Sequence, residues 1–403
     1  MINERKMDKE TIMSDKRVIL IVLDSLGAGE LPDAAEYGDA GAHTINHIAE
    51  KVPDLAVPNL KKMGYGEIEG VRLPGAKENV TGCYGRAAER SRCKDTIAGH
   101  WEIAGLITET PFRTFTDTGF PESFIKAFEN RIGTPVLGNY AASGVEIIKD
   151  LGPEQRRTGY PIVYTSADSV FQIAADVNVI PLERLYEICE IAREMLQGDL
   201  LVGRVIARPY TYIDGVYTRT ADRKDYALEP PEKTILDAIS GSGKQVCAVG
   251  KIEDVFKGRG VTDSVHTKSN EDGVDRTLEF MESCGSGLIF TNLVEFDSMY
   301  GHRRDPEGYG HAIEAFDRRL PEILQALREQ DLLIITADHG NDPVHSGWNH
   351  TREYIPILLT GRSIRQNINL STRSGFADIG ATICEYLGVS WEGNGSSFLK
   401  DII

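Results

Sequence analysis

Three apolar segments of the chain each run into an acidic residue. They are RVILIVLDS (17–25), GLIFTNLVEFDS (287–298) and LLIITADH (332–339), which reach Asp24, Asp297 and Asp338 respectively. Continuous apolar runs of this length, bounded by polar segments, are typical of parallel strands that are buried on both faces. The pattern therefore predicts three buried strands, each with a carboxylate at its end.

Helical patterns alternate with these strands. Between 306 and 329 apolar residues recur at helical spacing, namely Ile313, Phe316, Leu320, Ile323, Leu324 and Leu327. Between 375 and 388 they are Phe376, Ile379, Ile383 and Leu387, with Gly388 as the stop signal. This alternation predicts an α/β fold with a mostly parallel sheet flanked by helices. Because ligands of such sheets bind beyond the carboxyl ends of the strands, we expect the three acids at one edge.

The middle of the chain has a different pattern, with helix-like segments, short strands and many Arg and Tyr residues. We interpret it as an inserted α+β domain, because the parallel-strand pattern stands on both sides of it. The predicted divisions are a flexible N-terminal extension (1–16), the first part of the core domain (17–110), the insertion (111–226) and the second part of the core (227–403).

Charge and composition limit the classes of partner and the cellular compartment that we expect for this chain. The 403 residues carry a net charge of −17, which argues against nucleic acid or an anionic membrane as partner. Small phosphates remain possible ligands, because metal ions or a few arginines reverse the field locally. No apolar stretch is long enough to span a membrane, and residues 1–16 lack the apolar segment of a secretion signal. Six scattered cysteines without a C-x-x-C pair fit a reducing compartment, so we expect a cytoplasmic protein.

The strand-end acids have histidines near them in sequence. His339 follows Asp338 directly, His302 comes five residues after Asp297, and the 340–350 loop adds His345 and His350. Carboxylate with imidazole suits Mn²⁺ or Zn²⁺, and the set exceeds the needs of one tetrahedral ion. Two ions would suit phosphoryl transfer. A single such Asp is more simply explained as a helix cap or turn former, but the whole set favours a two-metal site.

A nucleophile is suggested by the segment KDTIAGHWEIAGL (94–106). If a helix starts here, the Thr96 hydroxyl lies in its positive N-terminal field, and a metal would lower its pKa further. The alternative is that Asp95 or Thr96 merely caps the helix, which the segment alone favours.

The sequence resembles the phosphopentomutases of the alkaline phosphatase superfamily over nearly its whole length. The resemblance lies in ILIVLDSLGAGELPDA, KDTIAGHWEIAG, TSADSVFQIAA, GRVIARPY, VGKIEDVFKGRGVT, SNEDGVDRT, NLVEFDSMYGHRRD, ADHGNDP and NHTREYIPILL. It implies an alkaline-phosphatase-like core with an inserted cap domain that binds the sugar phosphate. It also implies interconversion of α-D-ribose 1-phosphate and D-ribose 5-phosphate, and of the 2-deoxy equivalents, through a phosphothreonine and a 1,5-bisphosphate.

The resemblance also implies roles for individual residues. Thr96 would carry the phosphoryl group. One Mn²⁺ would be held by Asp297, His302 and His350, and a second by Asp24, Asp338, His339 and Thr96. His350 is preferred to His345 because the family's histidine lies in H-T-R-E-Y. The substrate-binding residues would be Ser166, Asp168, Val170, Arg204, Ile206 and Arg219.

A sugar bisphosphate, either glucose 1,6-bisphosphate or ribose 1,5-bisphosphate, would load Thr96. The expected partners are pentose phosphates alone, without nucleic acid or membrane, and the expected state is a monomer.

Other functions would use parts of the same pattern of residues. A metal-dependent phosphatase or phosphodiesterase of the same superfamily would use the same residues but let water take the phosphate. Phosphoglycerate mutases are usually longer and use a serine, and sulfatases need a C-x-P-x-R segment that this chain lacks. A non-enzymatic protein would use the acids to fix a metal-stabilised edge, with Thr96 as a helix cap only.

Overall fold

The computed structural model describes residues 16–166 and 169–403, and these form two compact units. Residues 16–110 together with Glu229–Ile403 make up the first unit, the core, and Pro111–Leu228 make up the second, the cap. The sequence-based range for the insertion was 111–226. The predicted extension, 1–16, lies outside the described residues except for Lys16.

The described residues contain two sheets. In chain order their strands are β1 (Arg17–Leu23), β2 (Cys83–Ala87), β3 (Leu137–Ala141), β4 (Ile162–Thr165), β5 (Val170–Asp176), β6 (Arg204–Ile213), β7 (Val216–Arg219), β8 (Lys224–Ala227), β9 (Gln245–Val249), β10 (Asp263–Val265), β11 (Gly287–Leu293), β12 (Asp331–Thr336), β13 (Ile355–Thr360) and β14 (Ile368–Arg373).

The core sheet has eight strands in the order β10-β9-β11-β1-β12-β13-β2-β14. Strands β10, β9, β11, β1 and β12 are mutually parallel, whereas β13 is antiparallel to both of its neighbours. Every residue of β1, β11 and β12 is buried, as a strand covered on both faces requires. The α/β fold with a mostly parallel sheet is therefore confirmed.

The helices are α1 (Thr44–Lys51), α2 (Pro58–Lys62), α3 (Thr96–Ile103), α4 (Glu122–Ile132), α5 (Glu146–Thr158), α6 (Leu182–Met195), α7 (Ile235–Gly241), α8 (Ile252–Phe256), α9 (Asn270–Ser283), α10 (Pro306–Ala326), α11 (Ala377–Leu387) and α12 (Leu399–Ile402). Short 3₁₀ segments lie at Ala34–Tyr37, Tyr65–Glu67 and Gly198–Leu200, and a π-helix lies at Phe296–Gly301. Within residues 16–166 and 169–403, no helix is both long and apolar enough to cross a membrane.

The two predicted helices are confirmed, although Leu324 is only half-buried and Leu327 and Phe376 lie just outside their helices. Helix α10 buries Ile313, Phe316, Leu320 and Ile323, and α11 buries Ile379, Ile383 and Leu387. Helix α11 ends where predicted, because Gly388 adopts a left-handed conformation with φ of 70°.

The cap sheet has the order β3-β4-β5-β6-β7, with β8 paired to β6. An apolar cluster packs one of its faces against α4 and α6, with Phe128, Phe171 and Ile188 among its buried members. A smaller cluster packs α5, through Ile147 and Ile148, against Ile162, Tyr164 and Tyr210.

Candidate metal centre

Adjacent strands bring the three predicted acids together. Strand β1 lies between β11 and β12, with Leu23 beside Leu293 and Val22 beside Thr336. The chain segments that follow these strands therefore leave the sheet at the same edge. Asp24, Asp297 and Asp338 all lie there, with relative exposures of 1%, 6% and 0%. Buried carboxylates at such close quarters require positive charge between them.

The first cluster is centred on Nε2 of His339. This atom is 3.5 Å from Asp24 Oδ1 and 3.3 Å from Asp338 Oδ2. It is also 3.2 Å from Thr96 Oγ1. His339 Nδ1 lies 3.1 Å from the Gly340 carbonyl oxygen, which fixes the ring proton there and leaves the Nε2 lone pair for a ligand. Asp24 Oδ1 is buried and accepts no hydrogen bond from the described residues. These side chains fit a divalent cation.

The second cluster joins Asp297, His302 and His350. His302 Nε2 is 3.2 Å from Asp297 Oδ2, and His350 Nε2 is 3.4 Å from Asp297 Oδ1. His350 Nδ1 lies 2.9 Å from the Lys94 carbonyl oxygen, so Nε2 is again the ligand atom. The His339 and His350 rings stack with centroids 3.9 Å apart, which sets the two clusters side by side.

The donor atoms are close enough to share ions. Asp24, Asp338 and His339 offer atoms within 4.8 Å of one another, and so do Asp297, His339 and His350. His339 therefore stands between the two clusters. The resemblance assigned His302 to the same ion as Asp297 and His350, and His302 does lie in the cluster of those residues.

The electrostatics show how strongly these groups depend on one another. Burial, with Asp338 and Asp297 nearby, raises the pKa of Asp24 to about 7. For Asp297, burial raises the pKa, but His350 and His302 outweigh it and hold the pKa well below its ordinary value. Burial lowers the pKa of His339, yet Asp338 and Asp24 raise it to about 9. In the absence of a cation, the protons on Asp24 and His339 therefore offset the negative charge of these carboxylates, and a bound cation would displace them.

Thr96 is the first residue of α3. The structure distinguishes the two roles predicted for this segment, a nucleophile and a helix cap. Asp95 is the cap, because its Oδ1 accepts from the amides of Ile97 at 3.0 Å and Ala98 at 3.2 Å. The Thr96 hydroxyl is thus free of a capping role and lies against His339. Gly99 allows the helix to approach this closely, since a Cβ there would collide with the Asp338 carbonyl oxygen.

Several residues that contact the predicted metal ligands were not predicted from the sequence. Asn292 donates to Asp24 Oδ2 at 3.0 Å, and Asn341 donates to Asp297 Oδ1 at 2.7 Å. His100 has no ligand-like spacing in the sequence, but it is buried, and its Nδ1 lies 2.8 Å from the Thr96 carbonyl oxygen and 3.1 Å from Asp338 Oδ2. Its position four residues after Thr96, on the same helix face, was the available signal. These neighbours orient the ligands.

The predicted substrate residues lie in the cap, where Val170 pairs with Arg204 and Gln172 with Ile206 across β5 and β6. Arg219 pairs with Tyr210 on β6, and Ser166 directly follows β4. Asp168 lies outside the described residues. Their contact with substrate stays a prediction.

The chain is similar to known proteins over almost its full length. Residues 16–391 match the family model of the metalloenzyme superfamily. The phosphopentomutase of Acetivibrio thermocellus is 57% identical over 96% of this chain and 100% of that protein. The phosphopentomutase of Clostridioides difficile is 52% identical over 96% of this chain and 99% of that protein. A solved phosphoglycerate mutase structure from Leishmania mexicana, 12% identical, covers 96% of this chain and 98% of its own with a TM-score of 0.48.

The chain thus has side chains that fit a divalent metal ion, and it is similar to phosphopentomutases over almost its full length. Both findings agree with the alkaline-phosphatase-like core that the resemblance implied. The chain belongs to the metalloenzyme superfamily and, within it, to the phosphopentomutase family.

Proposed function

We propose that the chain is a phosphopentomutase that interconverts α-D-ribose 1-phosphate and D-ribose 5-phosphate, and their 2-deoxy equivalents. The observation that carries this proposal is the Thr96 hydroxyl, 3.2 Å from Nε2 of His339 and beside two clusters of metal-ligand type. Full-length similarity to proteins named phosphopentomutase supports the same reaction.

The proposed cofactors are two Mn²⁺ ions. Asp24, Asp338, His339 and Thr96 would hold one ion, and Asp297, His302 and His350 the other. When bound, the ions would supply positive charge for the transferring phosphoryl oxygens and for the Thr96 alkoxide. Three carboxylates and three imidazoles suit either Mn²⁺ or Zn²⁺, and Mn²⁺ is the ion that the resemblance to the family implies.

The chain's own groups would carry the reaction in two transfers. Phosphorylated Thr96 gives its phosphoryl group to the free hydroxyl of a bound pentose monophosphate, which forms the 1,5-bisphosphate and returns Thr96 to the hydroxyl form. After the sugar turns over, Thr96 Oγ1 takes the other phosphoryl group and the isomeric monophosphate leaves. A sugar bisphosphate, glucose 1,6-bisphosphate or ribose 1,5-bisphosphate, would phosphorylate Thr96 at the start.

The cap would bind the sugar phosphate through Ser166, Asp168, Val170, Arg204, Ile206 and Arg219. Guanidinium groups suit this task, because a fork of donors holds a phosphate in one orientation. We further propose that the protein acts as a cytoplasmic monomer on free pentose phosphates.

Two measurements on the Mn²⁺-loaded protein test the proposal. Intact mass after incubation with glucose 1,6-bisphosphate should rise by one phosphoryl group, and peptide mapping should place it on Thr96. Ribose 1-phosphate should then convert to ribose 5-phosphate with little inorganic phosphate. Fast release of inorganic phosphate, with little 5-phosphate formed, would identify a phosphatase instead.

A further inference from the structure

The turn that follows β1 has a backbone conformation that its residues do not favour by themselves. The turn is closed by a hydrogen bond from the Leu26 amide to the Leu23 carbonyl oxygen at 3.0 Å. Its third residue, Ser25, has a φ of 70°, where glycine or asparagine is normally found. Among the residues that the structure describes, Ser25 is the one buried non-glycine residue with positive φ. Contacts with the surrounding structure must therefore hold it there.

In this conformation the main chain of Ser25 faces the candidate metal ligands. Its amide donates to Asp338 Oδ1 at 3.0 Å. Its carbonyl oxygen accepts from the Asn341 amide at 3.1 Å, and Asn341 Nδ2 donates to Asp297 Oδ1 at 2.7 Å. Asp24 is the preceding residue in the chain. Residue 25 thus connects the three strand-end acids, so a rotation of its backbone would disturb all of them.

The hydroxyl of Ser25 is paired with the hydroxyl of Tyr309. Tyr309 Oη lies 3.0 Å from Ser25 Oγ, and it donates to the Asp24 carbonyl oxygen at 3.3 Å. Because the phenol has a single proton, Ser25 Oγ is the donor of the hydrogen bond between the two hydroxyls. Both side chains are fully buried. Water therefore cannot replace either partner without a cost.

Tyr309 is well placed to support this turn. It belongs to α10, a helix of 21 residues. Its ring packs against Phe296 with the ring centroids 5.7 Å apart, and Phe296 directly precedes Asp297 in the π-helix. π-Helical turns are frequent at functional sites. Tyr309 thus contacts both the segment that carries Asp24 and the segment that carries Asp297.

We propose that Ser25 and Tyr309 form a positioning pair for the metal centre, in which the hydrogen bond between their hydroxyls holds residue 25 in its left-handed conformation. The pair thereby fixes the three strand-end acids for a divalent cation and acts through these ligands. Neither residue is among the predicted site residues. The identity of the ion and the reaction rest on the proposed function, whereas the pair requires only that these acids bind a divalent cation.

Two substitutions of Ser25 test the pair in the metal-free, full-length protein. Ser25→Ala and Ser25→Gly both remove the hydroxyl, but only glycine adopts a positive φ without steric cost. We expect Ser25→Ala to bind Mn²⁺ about tenfold more weakly in a calorimetric titration, as is typical when a residue that orients metal ligands is lost. Ser25→Gly should stay within about threefold of wild type, because its backbone needs no support. In the Mn²⁺-loaded enzyme, Ser25→Ala should lower kcat and leave KM for ribose 1-phosphate unchanged.

Tyr309→Phe tests the other member of the pair. It removes the acceptor of the Ser25 hydroxyl and keeps the aromatic ring, so it should weaken Mn²⁺ binding about as much as Ser25→Ala. Addition of Ser25→Gly to Tyr309→Phe should restore affinity by at least about threefold, because glycine does not need the missing support. A residue that served only for packing would not be rescued in this way.

Ser371 is the matched control for Ser25. It also has a positive φ, 58°, but it is exposed and lies in β14, at the edge of the core sheet and four strands from β1. Ser371→Ala creates the same conflict between alanine and a left-handed backbone. It should leave the Kd for Mn²⁺ unchanged, because the strain arises far from the metal centre.

Tyr386 is the matched control for Tyr309. It is a buried tyrosine whose Oη lies 3.4 Å from Ser363 Oγ. Its ring contacts Lys16, which precedes β1 and so lies at the opposite end of that strand from Asp24. Tyr386→Phe should therefore leave the Kd for Mn²⁺ unchanged.

The pair is overturned if Ser25→Gly weakens Mn²⁺ binding as much as Ser25→Ala, or if Ser25→Gly gives no recovery in Tyr309→Phe. It is also overturned if Ser25→Ala and Tyr309→Phe lower only the thermal midpoint of the metal-free protein. Should Ser25→Ala fail to fold, Tyr309→Phe with and without Ser25→Gly carries the same test.

The proposed function can fail separately. If the wild-type protein shows no mutase turnover but Ser25→Ala and Ser25→Gly still differ in Mn²⁺ affinity, the proposed reaction is wrong and the pair stands. A wild-type protein that binds neither Mn²⁺ nor Zn²⁺ would overturn both the pair and the proposed cofactors.

Discussion

His302 and His350 face each other with their Nε2 atoms 3.1 Å apart, across 48 residues of sequence. Because Nδ1 of His350 is engaged with the Lys94 carbonyl, its Nε2 presents a lone pair. Two imidazole nitrogens this close to each other and to Asp297 need a proton or a metal ion in common. The pair therefore supports the proposed ion at Asp297, His302 and His350 more specifically than the sequence spacing does.

Loss of His350 should remove one ion. We expect His350→Ala to lower the bound metal by about one equivalent and mutase turnover by at least about 100-fold, since a direct ligand to a catalytic ion is lost. Metal content by mass spectrometry and initial rates check both. His345→Ala is the control, because His345 Nε2 contacts the Ala40 carbonyl at 3.1 Å instead. Equal effects of the two variants would contradict the assignment.

Replacement of Thr96 should abolish phosphoryl transfer without destabilising the fold. Thr96→Ala should lose phosphoryl transfer and the mass adduct while it keeps its thermal midpoint within a few degrees, because Asp95 and not Thr96 caps α3. Thr96→Ser keeps a hydroxyl and should retain measurable adduct. Normal turnover in Thr96→Ala would disprove the role of this residue.

Metal binding should strengthen as the pH rises. In the metal-free protein the pKa of Asp24 is raised to about 7 and that of His339 to about 9, so at pH 6 both groups carry protons that a cation must displace. We expect the apparent affinity for Mn²⁺ to increase steadily from pH 6 to pH 8, with proton release on binding. Calorimetry in buffers of different ionisation enthalpy measures both. A pH-independent affinity would contradict this account.

Arg352 should stabilise the core more than a surface arginine does. Its guanidinium is buried, 2.7 Å from Glu89 Oε2, 2.7 Å from the Ser91 carbonyl and 2.8 Å from the Cys93 carbonyl. Arg352→Ala leaves Glu89 buried without its partner, so we expect a loss of about 3–5 kcal/mol in the free energy of unfolding.

Denaturant unfolding checks the Arg352 prediction. Arg157→Ala removes an exposed ion pair with Glu154 and should cost less than about 1 kcal/mol. If the two variants were equally stable, the buried network would have no special role.

The strands that carry the acids of the site could be predicted from the sequence, but the residues that contact these acids could not. The runs before Asp24 and Asp338 are continuous, short and rich in Ile, Leu and Val, which is typical of a strand buried on both faces, and both are such strands. By contrast, nothing local to Asn292 or Asn341 announces a contact with Asp24 or Asp297, because those contacts arise only when the strands pair.

Sequence spacing also could not settle what the Asp95–Thr96 pair does. Both residues are good helix caps, and only the backbone at the start of α3 decides which one accepts the amide hydrogens. Tyr164 shows a different limit, because a tyrosine in an apolar strand is expected in the core, and only the structure shows that its hydroxyl has no hydrogen-bond partner among the described residues.

The placement of β1 between β11 and β12 bears on how the protein is made. Arg17 pairs with Gly287 on one side and with Asp331 on the other, so β1 lacks both neighbouring strands until synthesis has passed residue 287. Its apolar residues must stay shielded from aggregation over that interval. A nascent chain that ends before Asp331 lacks β12 and the segment with Asp338, His339 and His350, so the proposed metal ligands come together only late in synthesis.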